Sequence, residues 1–155
     1  MPRLTIDSPL GPLVVTEDDG AIVSIRWMEE DGVEGGNDET PLLLDARRQL
    51  DEYFAGERSV FDLPLAPEGT EFEKKVWDQL LAIPYGEVKQ YGDVARALGG
   101  IARAVGGACG SNPIPIVIPC HRVVGQAGLT GFSGGKGVDT KKALLDLERG
   151  QKSLF

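Results

Sequence analysis

The side chains best suited to chemistry lie in one segment, where Cys120 is followed directly by His121, the only histidine in the chain. A thiol with a pKa of about 8.5 is mostly protonated at neutral pH, so a neighbouring base makes it a better nucleophile. Glu148, in a predicted C-terminal helix, is a candidate for orienting the imidazole. These residue types are those of a nucleophilic Cys–His–Glu network.

Spacing alone leaves other interpretations open. Adjacent side chains of an extended segment point to opposite faces, so a bound water or a turn would have to link Cys120 to His121. A buried structural cysteine beside a surface histidine explains the bare spacing better. The second cysteine, Cys109, lies among small residues, where helix packing explains it better than catalysis does.

The elements around this segment are predicted to be mainly helical. A capping-box pattern at Thr70 and Glu73 begins a helix that stops at Pro84-Tyr85-Gly86, and its apolar residues recur at helical spacing. Two short helices over 92–98 and 101–109 flank Gly99-Gly100, a pattern that weakly suggests a helix-turn-helix.

The remaining C-terminal elements are an extended segment and a last helix. Alternating prolines predict that Ile114 to Pro119 is extended, because they forbid a helix. A helix over 141–149 is closed by Gly150. Lys141 and Lys142 at its start are interpreted as a solvated face rather than as phosphate contacts.

The N-terminal half predicts a small antiparallel sheet and a helix. Apolar or alternating runs at 4–6, 13–16 and 21–27 are separated by turn residues. An apolar stripe then predicts a helix that runs to Phe54 and stops at Gly56. The acidic, glycine-rich stretch 29–39 is expected to be an exposed loop, and 61–67 an extended linker.

Composition favours a folded protein in a reducing compartment. The chain has 155 residues, of which 41% are hydrophobic, and two cysteines, which make a poor disulfide framework. No apolar run is long enough to span a membrane and no signal peptide is apparent, so we expect a cytoplasmic protein.

The net charge of −8 argues against a nucleic-acid partner. However, residues 1–70 hold 5 Lys and Arg against 16 Asp and Glu, whereas residues 71–155 hold 11 against 8, so the second half alone is suited to DNA.

A family resemblance resolves these alternatives. The sequence NPIPIVIPCHRVV, from Asn112 to Val124, resembles the active-site signature of the O6-alkylguanine-DNA alkyltransferases, which are methylated-DNA–protein-cysteine methyltransferases. Shorter matches in the family's order extend the resemblance over nearly the whole chain, at 8–11, 72–77, 86–91, 103–106 and 144–148. The cysteine segment is very specific, and the order of the others corroborates it.

The resemblance implies an α+β fold and a repair activity. A small N-terminal antiparallel sheet lobe with a helix, residues 1–69 and ribonuclease-H-like, would pack on a mainly helical C-terminal lobe, residues 70–155, that contains a helix-turn-helix. The implied activity is the stoichiometric, irreversible transfer of an alkyl group from O6-alkylguanine in duplex DNA to a cysteine. Whether O4-alkylthymine is also repaired stays open. The protein would act as a monomer, without a cofactor.

The resemblance also implies roles for particular residues. Cys120 would attack the alkyl carbon, His121 would act as the base through a water, Glu148 would orient His121, and Asn112 would brace the loop. Tyr91 would help rotate the nucleotide, the Val123 carbonyl would meet the guanine amino group, and Ser133 would donate to O6. Arg103 would take the place of the flipped base in the minor groove. Its helix could approach the DNA closely because Ala102, Ala104 and Gly106 are small. Arg122, with no partner in the lesion, is expected to form a structural ion pair.

The sequence departs from the family pattern in a few places. Phe132 stands where many relatives have tyrosine, which predicts a lowered rate. The turn before Arg103 is a residue or two shorter than in close relatives, which affects the docking angle. Residues 1–70 contain neither Cys nor His, so the zinc site of some relatives cannot form.

Two other classes of protein remain as alternatives. An alkyltransferase-like protein binds damaged guanine without chemistry but lacks the reactive cysteine, so Cys120 favours the enzyme. A Cys–His hydrolase would need an oxyanion hole, for which the proline-rich approach to Cys120 gives little support.

Overall fold

A three-stranded antiparallel sheet begins the computed structural model, which describes residues 1–126 and 137–150. Its strands are β1 (Arg3–Ile6), β2 (Leu13–Asp18) and β3 (Ala21–Trp27), paired in chain order. Leu13 lies opposite Ile6 on one side and Trp27 on the other, and all three side chains are buried. The predicted sheet is therefore confirmed.

A short helix, α1 (Met28–Asp31), follows β3 in the stretch that was expected to be a loop. The Asp31 carboxylate accepts a hydrogen bond from the backbone N–H of Trp27 at 2.8 Å, and Gly32 ends the helix with φ 65°. Asn37 also forms a bridge with Leu4 of β1. The loop prediction was wrong at these points, because the Asp31 side chain bonds the backbone N–H at the start of α1 and Asn37 pairs with the sheet.

The helix α2 (Pro41–Phe54) packs on the sheet, as predicted. The Thr40 side chain accepts a hydrogen bond from the N–H of Leu43 at 3.1 Å, which caps the helix. The linker that follows runs beside β3, since Ile22 bonds through its N–H to the Pro64 carbonyl at 2.8 Å and through its carbonyl to the Ala66 N–H at 2.9 Å. The linker is thus hydrogen-bonded to the N-terminal sheet.

The C-terminal half is mainly helical. The helix α3 (Glu71–Leu81) begins at the predicted capping box of Thr70 and Glu73. Two shorter helices, α4 (Tyr91–Leu98) and α5 (Ala102–Gly110), lie on either side of Gly99, whose φ of 68° makes the turn. The indole N–H of Trp77 in α3 donates to the Ala108 carbonyl of α5 at 2.9 Å, which joins the helices. The two short helices across a glycine turn are confirmed.

The segment Ile114 to Pro119 is not extended, contrary to the prediction. The Ile118 N–H donates to the Ile114 carbonyl at 2.9 Å, and Ile116 has a φ of 75°, so the chain turns back on itself. The prolines exclude a repeating helix but not one closed turn, because a single turn needs only one N–H donor.

Short elements then lead to the last helix. Residues Cys120–Arg122 form a 3₁₀ turn, and β5 (Val123–Val124) pairs in parallel with β4 (Lys89–Gln90). The last helix is α6 (Val138–Glu148), after which Gly150 has a positive φ of 79°. Buried side chains of both halves form one continuous core. In the described parts of the chain, no helix is long and apolar enough to cross a membrane.

Candidate active site

Cys120 begins the 3₁₀ turn and is almost enclosed, with 6% of its surface exposed. Burial raises the pKa of its thiol, whereas a hydrogen bond with Asn112 and the charge of Lys141 act in the opposite direction. The resting residue is therefore a thiol rather than a thiolate. A base is needed before this sulfur attacks a carbon centre.

His121 is fully buried beside it, and its Nε2 lies 2.7 Å from Oε2 of Glu148. Burial opposes ionisation of Glu148, but hydrogen bonds from His121, Arg122 and Tyr53 outweigh burial and hold the pKa of Glu148 at about 2. An ionised carboxylate only accepts hydrogen bonds, so Nε2 carries the proton. Among the described residues, the buried Nδ1 has no hydrogen-bond partner. Nδ1 is therefore the ring atom left to accept a proton.

Arg122 forms the structural ion pair that was expected for it. Its Nε lies 2.8 Å from Oε1 of Glu148 and its Nη2 lies 3.0 Å from Oε2. Its Nη1 donates to the Ile83 carbonyl at 2.7 Å. This bidentate pairing neutralises Glu148 in the core.

Asn112 holds the turn that precedes Cys120. Its amide nitrogen donates to the Ile118 carbonyl at 2.8 Å, and its amide oxygen accepts from the Ile114 N–H at 2.9 Å. The N-terminal sheet supports the same turn, since the Ile25 N–H donates to the Pro113 carbonyl at 2.9 Å. The approach to Cys120 is therefore fixed from both sides.

Lys141 is a site residue that the sequence interpretation missed. It is fully buried rather than solvated, and its ammonium donates to the Val123 carbonyl at 2.6 Å. Burial lowers the pKa of Lys141, and the nearby Cys120 counteracts this. Its spacing of seven residues from Glu148 places both on one face of α6, together with the buried Leu144. This helical spacing with a leucine was the feature of the sequence from which the burial of Lys141 could have been predicted.

Two of the candidate substrate residues, Tyr91 and Val123, lie beside this lysine. Tyr91, the first residue of α4, is half-buried, and its hydroxyl lies 3.4 Å from the Lys141 ammonium. Val123 is fully buried. Phe132 and Ser133 lie outside the described residues.

The candidate DNA-reading residues occupy the first turns of α5. Ala102 and Arg103 are exposed, and Ala104 and Gly106 are partly exposed. A Cβ atom added at Gly106 would meet nothing within 4 Å, so protein packing does not require glycine there. Cys109, on the other face, is buried, and burial raises the pKa of its thiol to about 12.

Comparisons with known proteins match both halves of the chain. Residues 3–67 match the ribonuclease-like domain of 6-O-methylguanine DNA methyltransferase, and residues 71–150 match the DNA-binding domain of the same family. The constitutive methylated-DNA–protein-cysteine methyltransferase of Bacillus subtilis is 44% identical over 155 residues, which cover 94% of this chain and 93% of that protein. The enzyme of the same name from Mycobacterium tuberculosis strain H37Rv is 45% identical over 151 residues, with coverage of 94% and 90%.

Solved structures agree with the sequence comparisons. The Mycobacterium tuberculosis OGT in complex with DNA superposes with a TM-score of 0.87 at 43% identity, covering 97% of this chain and 94% of that one. A second structure from that organism, an O6-methylguanine methyltransferase, has a TM-score of 0.85 at 41% identity, with coverage of 99% and 96%. This confirms the α+β fold of a small sheet lobe with a helical lobe. The chain belongs to the 6-O-methylguanine DNA methyltransferase family.

Proposed function

We propose that this protein repairs alkylated DNA by moving the alkyl group of O6-alkylguanine in a duplex to the sulfur of Cys120. The observation that carries the proposal is the arrangement beside Cys120, where an ionised Glu148 holds Nε2 of His121 and leaves Nδ1 as a base. We assign residues 1–69 and 70–155 as the two domains, with the second as the DNA-binding one.

The chemical step begins with loss of the thiol proton. His121 accepts that proton at Nδ1 through a water, and Glu148 stabilises the imidazolium that forms. The sulfur of Cys120 then attacks the alkyl carbon, so that the carbon–sulfur bond forms while the carbon–O6 bond breaks. The guanine anion that leaves takes up a proton from water and the imidazolium of His121 returns its proton to water, so the thiol proton is formally passed to the guanine, and the thioether stays on the protein. No second step regenerates the thiol, so one molecule repairs one lesion.

The flipped guanine is held beside Lys141. The Val123 carbonyl accepts a hydrogen bond from the guanine amino group, which the second lone pair of that oxygen allows while Lys141 occupies the first. Tyr91 crowds the 3′ phosphate and so turns the nucleotide outward. Ser133 donates to O6 as negative charge develops there.

The helix α5 enters the minor groove, and Arg103 fills the space that the base leaves. Two features support this role: Arg103 is exposed, and Gly106 has open space in front of it. A helical glycine that packing does not require allows close approach of a backbone to DNA. Action as a monomer in the cytoplasm stays a prediction.

Intact-protein mass spectrometry tests the proposal. The protein is incubated with a duplex that carries one O6-methylguanine, beside an undamaged duplex. We expect one added methyl group per protein molecule in the wild type and in Cys109→Ala, and none in Cys120→Ala. The Cys109→Ala variant is the matched control, because it removes the other thiol of the chain.

Two results would overturn the proposal. Tight, lesion-selective binding without a mass change would make this protein a damage-recognition module. Uptake by Cys120→Ala would place the acceptor elsewhere.

A further inference from the structure

The side chain of Tyr53 in α2 links the N-terminal half to the candidate catalytic network. Its hydroxyl donates to Oε2 of Glu148 at 2.6 Å, and both residues are buried. That oxygen is also the one that lies 2.7 Å from Nε2 of His121. With Nη2 of Arg122, which lies 3.0 Å from the same atom, three donors converge on this oxygen, and Tyr53 is the one that comes from the N-terminal half.

The Tyr53 ring is held in place by other aromatic rings. Phe54 and Phe61 each have ring centroids 5.3 Å from it, and Tyr85 lies edge-on at 6.2 Å. A buried tyrosine hydroxyl costs free energy unless it finds a partner, and Glu148 is that partner. The rings thus fix the direction from which the hydroxyl meets Glu148.

Among the described residues, groups from several elements face the charge of Glu148. The 3₁₀ turn supplies His121 and Arg122, α2 supplies Tyr53, and the loop after α3 supplies Tyr85, which lies under the Arg122 guanidinium. His121 itself faces Glu148, Arg122 and Lys141, and it adjoins Cys120. A donor on the oxygen shared with His121 withdraws negative charge from it, so the imidazolium form is stabilised less.

We propose that Tyr53 is a positioning residue for alkyl transfer, whose hydroxyl orients Glu148 and keeps His121 neutral with Nδ1 as its proton-accepting atom. The proposal rests on the function proposed above. It gives the N-terminal half a direct part in the chemistry of the C-terminal half, through one hydrogen bond.

The single histidine makes a direct test possible without substrate. In protein labelled with ¹⁵N-histidine, NMR reports which ring nitrogen carries the proton and at what pH the ring titrates. We expect the Nε2–H form in the wild type. In Tyr53→Phe, which keeps the ring but loses the hydroxyl, we expect the histidine pKa to rise, because Oε2 then presents more charge to the imidazole.

Tyr85→Phe is the matched control. It removes a second tyrosine hydroxyl from the same aromatic cluster, but that hydroxyl makes no hydrogen bond to Glu148 among the described contacts. We expect it to leave the histidine titration as in the wild type. A Tyr53→Phe titration equal to that of the wild type, or an equal shift in both variants, would overturn the proposal.

A wild-type measurement covers the case in which Tyr53→Phe does not fold. A buried hydroxyl in a short hydrogen bond exchanges slowly with solvent, so its proton should give a downfield resonance with a nuclear Overhauser effect to the His121 ring. Absence of that resonance in the folded protein would contradict the proposed contact.

Rates separate this inference from the proposed function. If the wild type takes no methyl group, the proposed function fails whatever Tyr53 does. If it does take the group, we expect single-turnover transfer by Tyr53→Phe to slow about threefold near pH 6 and far less near pH 8, because the base is protonated at the lower pH. An equal slowing at both pH values would indicate a structural role only.

Discussion

The ammonium of Lys141 lies 2.6 Å from the backbone carbonyl oxygen of Val123, in a position where neither group meets bulk solvent. The same lysine is 5.5 Å from the centre of the Tyr91 ring. It therefore joins two residues that we assign to the flipped guanine. Its charge also favours ionisation of Cys120.

Replacing Lys141 by glutamine should slow alkyl transfer. The variant loses the cation that stabilises the thiolate, and a loss of about 1.4 kcal/mol in the transition state corresponds to about tenfold in rate. Single-turnover kinetics with a lesion duplex measure this. Lys142→Gln is the control, because that exposed neighbour pairs only with Asp146 among the described contacts and should react at the wild-type rate. Equal rates for the two variants would contradict the role of Lys141.

Replacing Glu148 by glutamine should destabilise the fold as well as slow transfer. Removal of one partner of a buried ion pair leaves Arg122 uncompensated, at a cost of about 3–5 kcal/mol. Urea unfolding measures the loss. Asp146→Asn makes the same chemical change on the same helix, but its partner Lys142 is exposed, so we expect a loss of about 1 kcal/mol or less. Similar losses in both variants would show that the buried network does not stabilise the fold.

The stability of the wild type should fall in acid in a way that depends on Glu148. The pKa of Glu148 in the folded protein is about 2, below its ordinary value of 4.5. Its contribution to the free energy of unfolding is therefore complete above pH 4.5 and is lost as the pH falls towards 2. This contribution is on the order of 3 kcal/mol. The difference in unfolding free energy between the wild type and Glu148→Gln should therefore shrink as the pH falls through this window. A constant difference would contradict it.

Alanine at Gly106 should separate stability from DNA binding. The added methyl group meets open space, and a helical alanine is favoured over glycine by about 0.5–1 kcal/mol, so the variant should unfold at higher temperature. Affinity for duplex DNA should fall about tenfold if the helix backbone approaches the groove closely. Fluorescence anisotropy at a fixed salt concentration measures this, because such affinities depend on salt. Unchanged affinity would place Gly106 away from the DNA.

A tyrosine at position 132 should raise the rate of transfer. Phe132 lies outside the described residues, so this prediction depends on the family resemblance alone. An added hydroxyl would assist the leaving guanine by hydrogen bonding to it as charge develops. Single-turnover rates of Phe132→Tyr and wild type, compared at saturating DNA, test it. Equal rates would contradict this prediction.

Local patterns in the sequence were sufficient for most elements of the fold. The Thr70–Glu73 capping box and the glycine turn at Gly99 each act through neighbours in the chain, so their signals are readable without tertiary structure. The turn at Ile116 was missed because it depends on Asn112, whose side chain bonds both ends of the segment. The number and spacing of the prolines do not reveal such side-chain-to-backbone hydrogen bonds, which here stabilise a turn instead of an extended segment.

Site residues could be predicted where the residue type itself indicates chemistry, and less well where the role depends on whether the side chain is buried. Cys120 and His121 stand out by type alone, Glu148 was a candidate from its place in the predicted last helix, and the family resemblance supported all three. Lys141 was misinterpreted because lysines are rarely buried without a partner, and its partners here include a backbone carbonyl that the sequence does not reveal. Tyr53 was not singled out, since its contact with Glu148 spans 95 positions of the chain.

The enclosure of Cys120 has a consequence for a protein that reacts only once. Any soluble electrophile that alkylated a readily ionised, open thiol would use up the molecule before it met a lesion. Cys120, of whose surface 6% is exposed and whose thiol burial keeps protonated, offers such reagents neither ready access nor a thiolate. The same burial that makes the cysteine a poor nucleophile at rest therefore acts as chemical protection, and under the function proposed above it reserves Cys120 for an alkyl group that DNA delivers.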